Sequence, residues 1–143
     1  MILNYTTKIE AEQTIGEIQK MLSRHNVMAM MTEYDGPHVS AVSFKMNVKG
    51  QPMGYKLPCN WRAVFEIFKE QKIPLKHGGT REAQAIRTSW RVIKDWIEAQ
   101  LALVEINMTT IPAIFLPYTI MKGGQTLAEK LEQDPKFLLG DGK

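Results

Sequence analysis

The stretch HVSAVSFKMNV, residues 38–48, decides the fold of this chain. From Val42 to Val48 every second residue is apolar, and the residues between them are polar. A period of two is typical of a strand that buries one face and leaves the other in solvent. The stretch therefore predicts a half-buried strand.

Turn residues bound this strand on both sides. Asp35-Gly36-Pro37 precedes it and Lys49-Gly50 follows it. The apolar run at residues 27–34 is compatible with a helix or a strand, and the turn that closes it favours a strand. Residues 51–57 alternate again after the second turn. Because connections this short join antiparallel neighbours, the pattern predicts a three-stranded antiparallel meander.

Helical patterns flank the meander. Thr7 and Glu10 have the spacing of a capping box, which predicts a first helix from Thr7 to His25. After the meander, Asn60 is a suitable N-cap for a second helix that ends near Gln71.

A long third helix is the dominant element. It is predicted to start after Thr80 and to run from Arg81 to about Asn107, because neither Pro nor Gly interrupts this stretch. Two apolar stripes run side by side along it, so we expect it to be wedged into the protein or against a neighbouring subunit. Short helices are predicted after Thr110 and after Thr126.

These elements predict one α+β domain, because 143 residues lie within the usual range of ~100–200 residues per domain. In residues 1–133 we expect an N-terminal helix, the meander, a short and a long helix packed on the sheet, and short C-terminal helices. Residues 134–143 are expected to form a flexible tail.

The composition indicates a cytoplasmic protein. No apolar stretch approaches the ~20 residues that span a bilayer, and the start lacks the apolar core of a signal peptide. Cys59 is the single cysteine, which excludes an internal disulfide and a cysteine-based zinc site.

The sequence contains no recognisable catalytic motif. His25, His38 and His77 lack the spacing of metal-binding histidines, and no paired-carboxylate motif, phosphate loop or dinucleotide-binding glycine pattern is present. Cys59 could pair with a histidine as a nucleophile, but a lone cysteine between a strand and a helix is more typical of a small buried residue. We therefore expect a non-catalytic protein with no cofactor and no metal.

Positive charge is concentrated in one part of the chain. From Arg62 to Lys94 eight residues are basic and three are acidic, so this segment has an excess of five positive charges and the rest of the chain sums to minus two. Arg87, Arg91 and Lys94 are spaced to share one edge of the long helix, and Arg81 extends that edge. The pattern predicts either a phosphate-binding edge or a solvated charged face.

Two further features are compatible with a nucleic acid. The segment Lys76 to Arg81 contains two glycines next to a helix N-terminus, which suits a phosphate and equally suits an ordinary helix entry. Tyr34 and Tyr55 are the candidates for stacking on bases, whereas Phe44 and Trp61 are expected in the core. The predicted nucleic-acid-binding residues are Tyr34, Lys45, Tyr55, Lys56, Arg62, Lys76, Gly78, Gly79, Arg81, Arg87, Arg91 and Lys94.

Several strings resemble a family of small phage and prophage proteins that has no assigned activity. They are YTTKI (5–9), KLP (56–58), RVIKDWIEAQLAL (91–103) and FLPY (115–118). The resemblance covers most of the chain and implies a phage setting, in which small proteins serve DNA metabolism or counter host defence.

The order of helix, three antiparallel strands and long helix is similar to the core of the single-strand annealing proteins of phages and of eukaryotic recombination. That similarity implies rings or filaments that hold single-stranded DNA in a basic groove. We therefore expect an oligomeric protein that binds single-stranded DNA or RNA and promotes annealing in phage recombination. The alternative is a small phage protein that uses the Met-rich strand Met28–Met31 and part of the long helix as an adaptable apolar surface to bind and inhibit a host defence protein.

Overall fold

The computed structural model describes residues 2–140 and has an α+β architecture. Its elements in chain order are α1 (Ala11–Ser23), β1 (Val27–Asp35), β2 (His38–Val48), β3 (Gln51–Pro58), α2 (Trp61–Glu70), α3 (Arg81–Glu105), α4 (Ile111–Ile114) and α5 (Leu127–Gln133). Short 3-10 turns, Leu116–Tyr118 and Phe137–Leu139, lie before and after α5. The predicted order of helices and strands is confirmed.

The three strands form one antiparallel sheet in the order β1-β2-β3. Val48 pairs with Gln51, so only Lys49 and Gly50 connect β2 to β3. Both turn residues have positive φ, 51° and 83°. Such angles are typical of the tight hairpin turn that matches the twist of its strands, and glycine adopts them at little cost.

One face of the sheet is covered by helices and holds the core. Phe44 stacks on Tyr55 of β3, and Phe115 contacts the edge of the Phe44 ring. Trp90 from α3 is 1% exposed and belongs to the same buried cluster. Burying aromatic rings of this size removes a large apolar area from water, which makes this layer the main source of stability. Phe44 and Trp61 are buried as predicted.

The N-terminal segment is attached to α3 by buried polar contacts. Gln84 donates from Nε2 to the backbone oxygens of Tyr5 and Thr7, both at 3.0 Å. Thr88 donates from Oγ1 to the backbone oxygen of Asn4 at 3.0 Å. These bonds provide donors to backbone oxygens that lie outside the helices and strands.

The predicted start of α1 is wrong, whereas α3 starts at Arg81 as predicted, and both helices end two residues before the predicted end. Helix α1 starts at Ala11 rather than near Thr7, because Thr7 Oγ1 accepts from the backbone N–H of Ile9 instead of capping a helix. At their other ends α1 stops at Ser23 and α3 stops at Glu105. The caps predicted at Asn60, Thr80, Thr110 and Thr126 are confirmed, since each side chain accepts a bond from the first turn of its helix.

The two outer edges of the sheet differ. On the β3 side, the backbone N–H of Ile120 donates to the oxygen of Gly54 at 2.8 Å, and Thr119 forms a bridge with Tyr55. Gly54 allows this approach, since a Cβ at that position would lie 3.3 Å from Ile120 Cδ1. The outer edge of β1 has no strand partner within residues 2–140.

The C-terminal part of the chain lies at the surface. All residues from Glu132 to Gly140 are exposed, and Lys130 Nζ lies 5.6 Å from the Phe137 ring. Flexibility of the tail at 134–143 stays a prediction, and its last residues, 141–143, lie outside the described part of the chain. No helix within residues 2–140 is both long enough and apolar enough to cross a membrane.

Candidate nucleic-acid interface

The predicted basic edge of α3 does not face solvent. The side chains of Arg87, Arg91 and Lys94 are only 13–15% exposed. Because α1 packs along this edge, the three charges are enclosed between two helices. The prediction that the edge is open to an anion is therefore contradicted.

Acidic groups neutralise the same edge. Arg87 Nη1 lies 3.7 Å from Glu10 Oε1, and Arg91 Nη1 donates to Glu17 and Thr14. Lys94 Nζ lies 2.6 Å from Glu98 Oε2 and 3.9 Å from Asp95 Oδ1. A largely buried cation with a bound carboxylate gains little from a phosphate, because the phosphate would have to displace that carboxylate first.

The partners of the arginines were missed at the sequence level. Glu10, Thr14 and Glu17 recur at intervals of four and three, so they share one side of α1. An acidic side on one helix and a basic edge on another indicate that the two helices pack together. Both charge patterns can be read from the sequence, but the sequence does not show that α1 and α3 are neighbours.

Tyr55 is not available for stacking. It is fully buried against Phe44, and burial raises the pKa of its phenol. Its position opposite Phe44 in β2 places the ring on the helix-covered face, so the predicted contact with a base is wrong. Tyr34, by contrast, is 64% exposed near the end of β1.

The loop before α3 is docked on the N-terminal segment. His77 Nε2 lies 2.9 Å from the backbone oxygen of Thr6, and Lys76 Nζ lies 6.0 Å from the Tyr5 ring. Gly78 and Gly79 have φ of 72° and 81°, which only glycine adopts readily. Arg81 donates to the backbone oxygen of Ile73. Phosphate binding at this loop stays a prediction.

Two further predicted cations have partners within the chain. Arg62 Nη2 lies 2.8 Å from Asp35 Oδ2, and the guanidinium stacks on the Trp61 ring at 4.6 Å. Lys56 Nζ lies 2.9 Å from Glu33 Oε2. Their charges are thus largely balanced locally.

The second face of the sheet carries an apolar groove, which we call the open-face groove. Its volume is about 370 Å³, and Lys45 stands at its side as an exposed residue of β2. The hydroxyl of Ser43 in its floor is buried and has no hydrogen-bond partner within residues 2–140. The groove is lined by Ala29, Met30, Met31, Ser43, Phe44, Lys45, Gly54 and Ile120.

Lys45 at the side of this groove and two lysines in neighbouring turns have no acidic partner within residues 2–140. Lys45 is opposite Gly54 in the sheet, and Lys49 lies four residues further, in the β2–β3 turn. Lys122 follows Ile120, which is hydrogen-bonded to Gly54. In the described part of the chain, none of these three lysines forms an ion pair. Sequence reasoning selected Lys45 but not Lys49, because only the antiparallel pairing of Thr119 with Tyr55 directs the following residues toward the β2–β3 turn.

The groups with catalytic potential are separated or unreactive. Cys59 is buried, and burial raises the pKa of its thiol to about 12, so the thiolate nucleophile is scarce at neutral pH. His38 contacts Glu82 and Trp61 rather than the cysteine. Among residues 2–140, no three His, Cys, Asp or Glu side chains come together as a metal site requires.

No family model matches this chain, and neither a curated protein nor a solved structure is similar to it at the required significance.

Proposed function

We propose that this chain is a non-catalytic protein that binds single-stranded nucleic acid across the open face of its sheet. The observation that carries the proposal is the apolar groove lined in part by Lys45, together with the exposed Lys49 and Lys122 in neighbouring turns. None of the three lysines has an ion-pair partner within residues 2–140. The bases of a nucleic acid have apolar faces and its backbone carries phosphates. A binding site for single-stranded nucleic acid therefore needs apolar surface and positive charge side by side.

The distribution of charge favours the open face of the sheet over the edge of α3 as the binding site. The chain has a net charge of +3, and its buried cations are already balanced by carboxylates. The positive charge that is free to meet a phosphate therefore lies on exposed residues such as the three lysines. Met31 and Ile120 provide apolar surface for bases.

Fluorescence anisotropy of a labelled oligonucleotide tests the proposal. Binding should weaken with salt, with a slope of log affinity against log salt of about −2, because each of three phosphate contacts contributes roughly −0.7 for a single strand. The triple variant Lys45→Gln, Lys49→Gln, Lys122→Gln should bind on the order of 100-fold more weakly, at ~1 kcal/mol per exposed contact.

A second triple variant is the matched control. Lys72→Gln, Lys76→Gln, Arg81→Gln removes the same net charge from the loop before α3 and from the first residue of α3, and it should change the affinity by less than about threefold at fixed salt. If this control loses as much affinity as the groove variant, the site is wrong. Absence of salt-sensitive binding by the unaltered protein rejects the function itself.

Annealing is the activity implied by the topological similarity, and we include it in the proposal. The protein should speed the pairing of complementary oligonucleotides, measured by quenching of paired fluorophores. The groove variant should lose this effect together with binding, whereas the loop variant should keep it.

Binding to a host protein is the second candidate. The observation that favours it is the exposure of Met28 and Met31, each 57%, on one strand, since flexible thioether side chains adapt to varied partners. A pull-down from expressing cells, with and without nuclease, separates the two. A partner retained after nuclease treatment supports this candidate, and loss of all partners supports nucleic-acid binding.

A further inference from the structure

The outer edge of β1 is the sheet edge that the described chain leaves uncovered. The β3 edge is paired with residues 119 and 120, whereas β1 pairs only with β2. Along a free edge, every second residue directs its backbone N–H and C=O outward, so these groups are ready to pair with another strand.

The middle of β1 lacks the features that usually protect such an edge. The segment Ala29 to Glu33 contains neither lysine nor proline, and its pairing with β2 is regular, with register shifts only at its two ends. Natural edge strands are commonly protected by an inward lysine, a proline or a bulge near the centre. Here the centre instead presents Met31, which is 57% exposed. The outer edge of β1 is therefore suited to pairing with another strand.

The charge pattern identifies the occupant. The end of β1 is acidic, with Glu33 and Asp35, whereas the residues leading into it include the exposed cations Lys20 and Arg24, which form no ion pair within residues 2–140. An antiparallel copy of β1 brings the acidic end of one chain to the basic start of the other, twice. A parallel copy would place like charges together.

We propose that a second copy of this chain covers the edge, with β1 pairing antiparallel to its counterpart to form a six-stranded sheet. A two-fold axis at Met31 places Ala29 opposite Glu33 and Met31 opposite itself, so no like charges face each other. Asp35 then lies opposite Val27, close to Arg24. Such an interface uses the same surface on both chains and closes as a dimer.

The carboxylates of Asp35 and Glu33 can each accept a further contact. Arg62 contacts Oδ2 of Asp35, and Lys56 contacts Oε2 of Glu33, which leaves the second oxygen of each carboxylate without a salt bridge. A carboxylate accepts on both oxygens. The dimer would also set the two open-face grooves side by side on one sheet, although the inference does not depend on nucleic-acid binding.

Sedimentation equilibrium of the unaltered protein should show a mass that rises from monomer to dimer with concentration. Met31→Lys should raise the dissociation constant of the dimer at least tenfold, because it places two like charges opposite each other on the edge. Met108→Lys is the matched control at another exposed methionine, 71% exposed, and should leave the dimer unchanged. Circular dichroism checks that both variants fold.

Disulfide trapping tests the register. Opposed residues in an antiparallel pair have Cα atoms about 4.5–5.5 Å apart, within the range of about 4.4–6.8 Å that a disulfide spans. Met31→Cys should therefore cross-link rapidly under mild oxidation, and Met108→Cys should not. The native Cys59 is buried and does not compete.

A monomer at all concentrations, or a dimer that persists unchanged in Met31→Lys, overturns the inference. Equal cross-linking rates for Met31→Cys and Met108→Cys overturn the proposed register. Either result leaves the nucleic-acid proposal to be judged by its own binding assay.

Discussion

Arg91 shows how burial changes the role of a single charged residue. Its guanidinium lies between α1 and α3, 13% exposed, and donates to Glu17 and to the buried hydroxyl of Thr14. Within the sequence, Arg91 is one of several basic residues on a helix edge. In the fold it links two helices, so its charge contributes to packing and is no longer available to a ligand.

Arg91→Ala should lower the free energy of unfolding by about 1–3 kcal/mol, because it leaves Glu17 without its partner and Thr14 without a donor. Urea denaturation of the purified protein measures this value. Lys8→Ala removes an exposed lysine from the segment before α1, and it should change stability by less than about 0.5 kcal/mol. Equal effects of the two substitutions would show that the Arg91 contacts do not stabilise the fold.

At the scale of elements, short-range chemistry defines most of the helix starts and the hairpin turns. Thr126 accepts from the backbone N–H of Glu129, and the Glu129 carboxylate accepts in return from the backbone N–H of Thr126. This capping box starts α5, whereas the similar spacing of Thr7 and Glu10 does not form one. The difference arises because Thr7 bonds to Ile9, and because Gln84 and Thr88 hold the preceding backbone on α3.

Thr126→Ala should reduce the hydrogen-exchange protection of the α5 amides about fivefold, which corresponds to ~1 kcal/mol for a lost N-cap. Exchange followed by NMR measures this local effect. Glu132→Ala, on the exposed side of the same helix, is the control and should leave protection nearly unchanged.

The same box should respond to acid. Hydrogen bonds from Thr126 lower the pKa of the Glu129 carboxyl from its ordinary value of 4.5. Because the folded pKa lies below the unfolded one, the contribution of this group is complete above pH 4.5 and is lost as the pH falls through the lower, folded value. We therefore expect the hydrogen-exchange protection of the α5 amides to fall as the pH is lowered from neutral to acidic. Glu129→Gln should abolish this fall, because its side chain does not ionise.

At the scale of the whole molecule, the two ends of the chain complete the sheet and helix layers. The N-terminal segment bonds to α3, and the segment around Ile120 continues the sheet beyond β3. Residues after Gln133 contribute little buried surface, since all those described are exposed. The extent of the domain, predicted as residues 1–133, can therefore be tested by truncation.

Truncation after Gln133 should change the free energy of unfolding by less than about 1 kcal/mol, because the described residues 134–140 are all exposed. Truncation after Tyr118 should be more damaging, since it uncovers the backbone edge of β3 and promotes aggregation. Urea denaturation and light scattering distinguish the two. If the chain of 133 residues no longer folds, the residues after Gln133 are part of the domain.

The sequence alone determined the elements that depend on neighbours within a few residues. Alternation between Val42 and Val48, two-residue turns, and threonine or asparagine caps predicted the meander and the helix starts, because these features follow from local backbone sterics and short hydrogen bonds. Only the tertiary structure decided which charges and rings are available. Arg91 and its partner Glu17 are 74 residues apart, and the helices α2 and α3 separate Gly54 from its partner Ile120 in the sequence. The exposure of a side chain depends on such distant neighbours, so the candidate interface lies on the open face of the sheet rather than on the basic edge of α3.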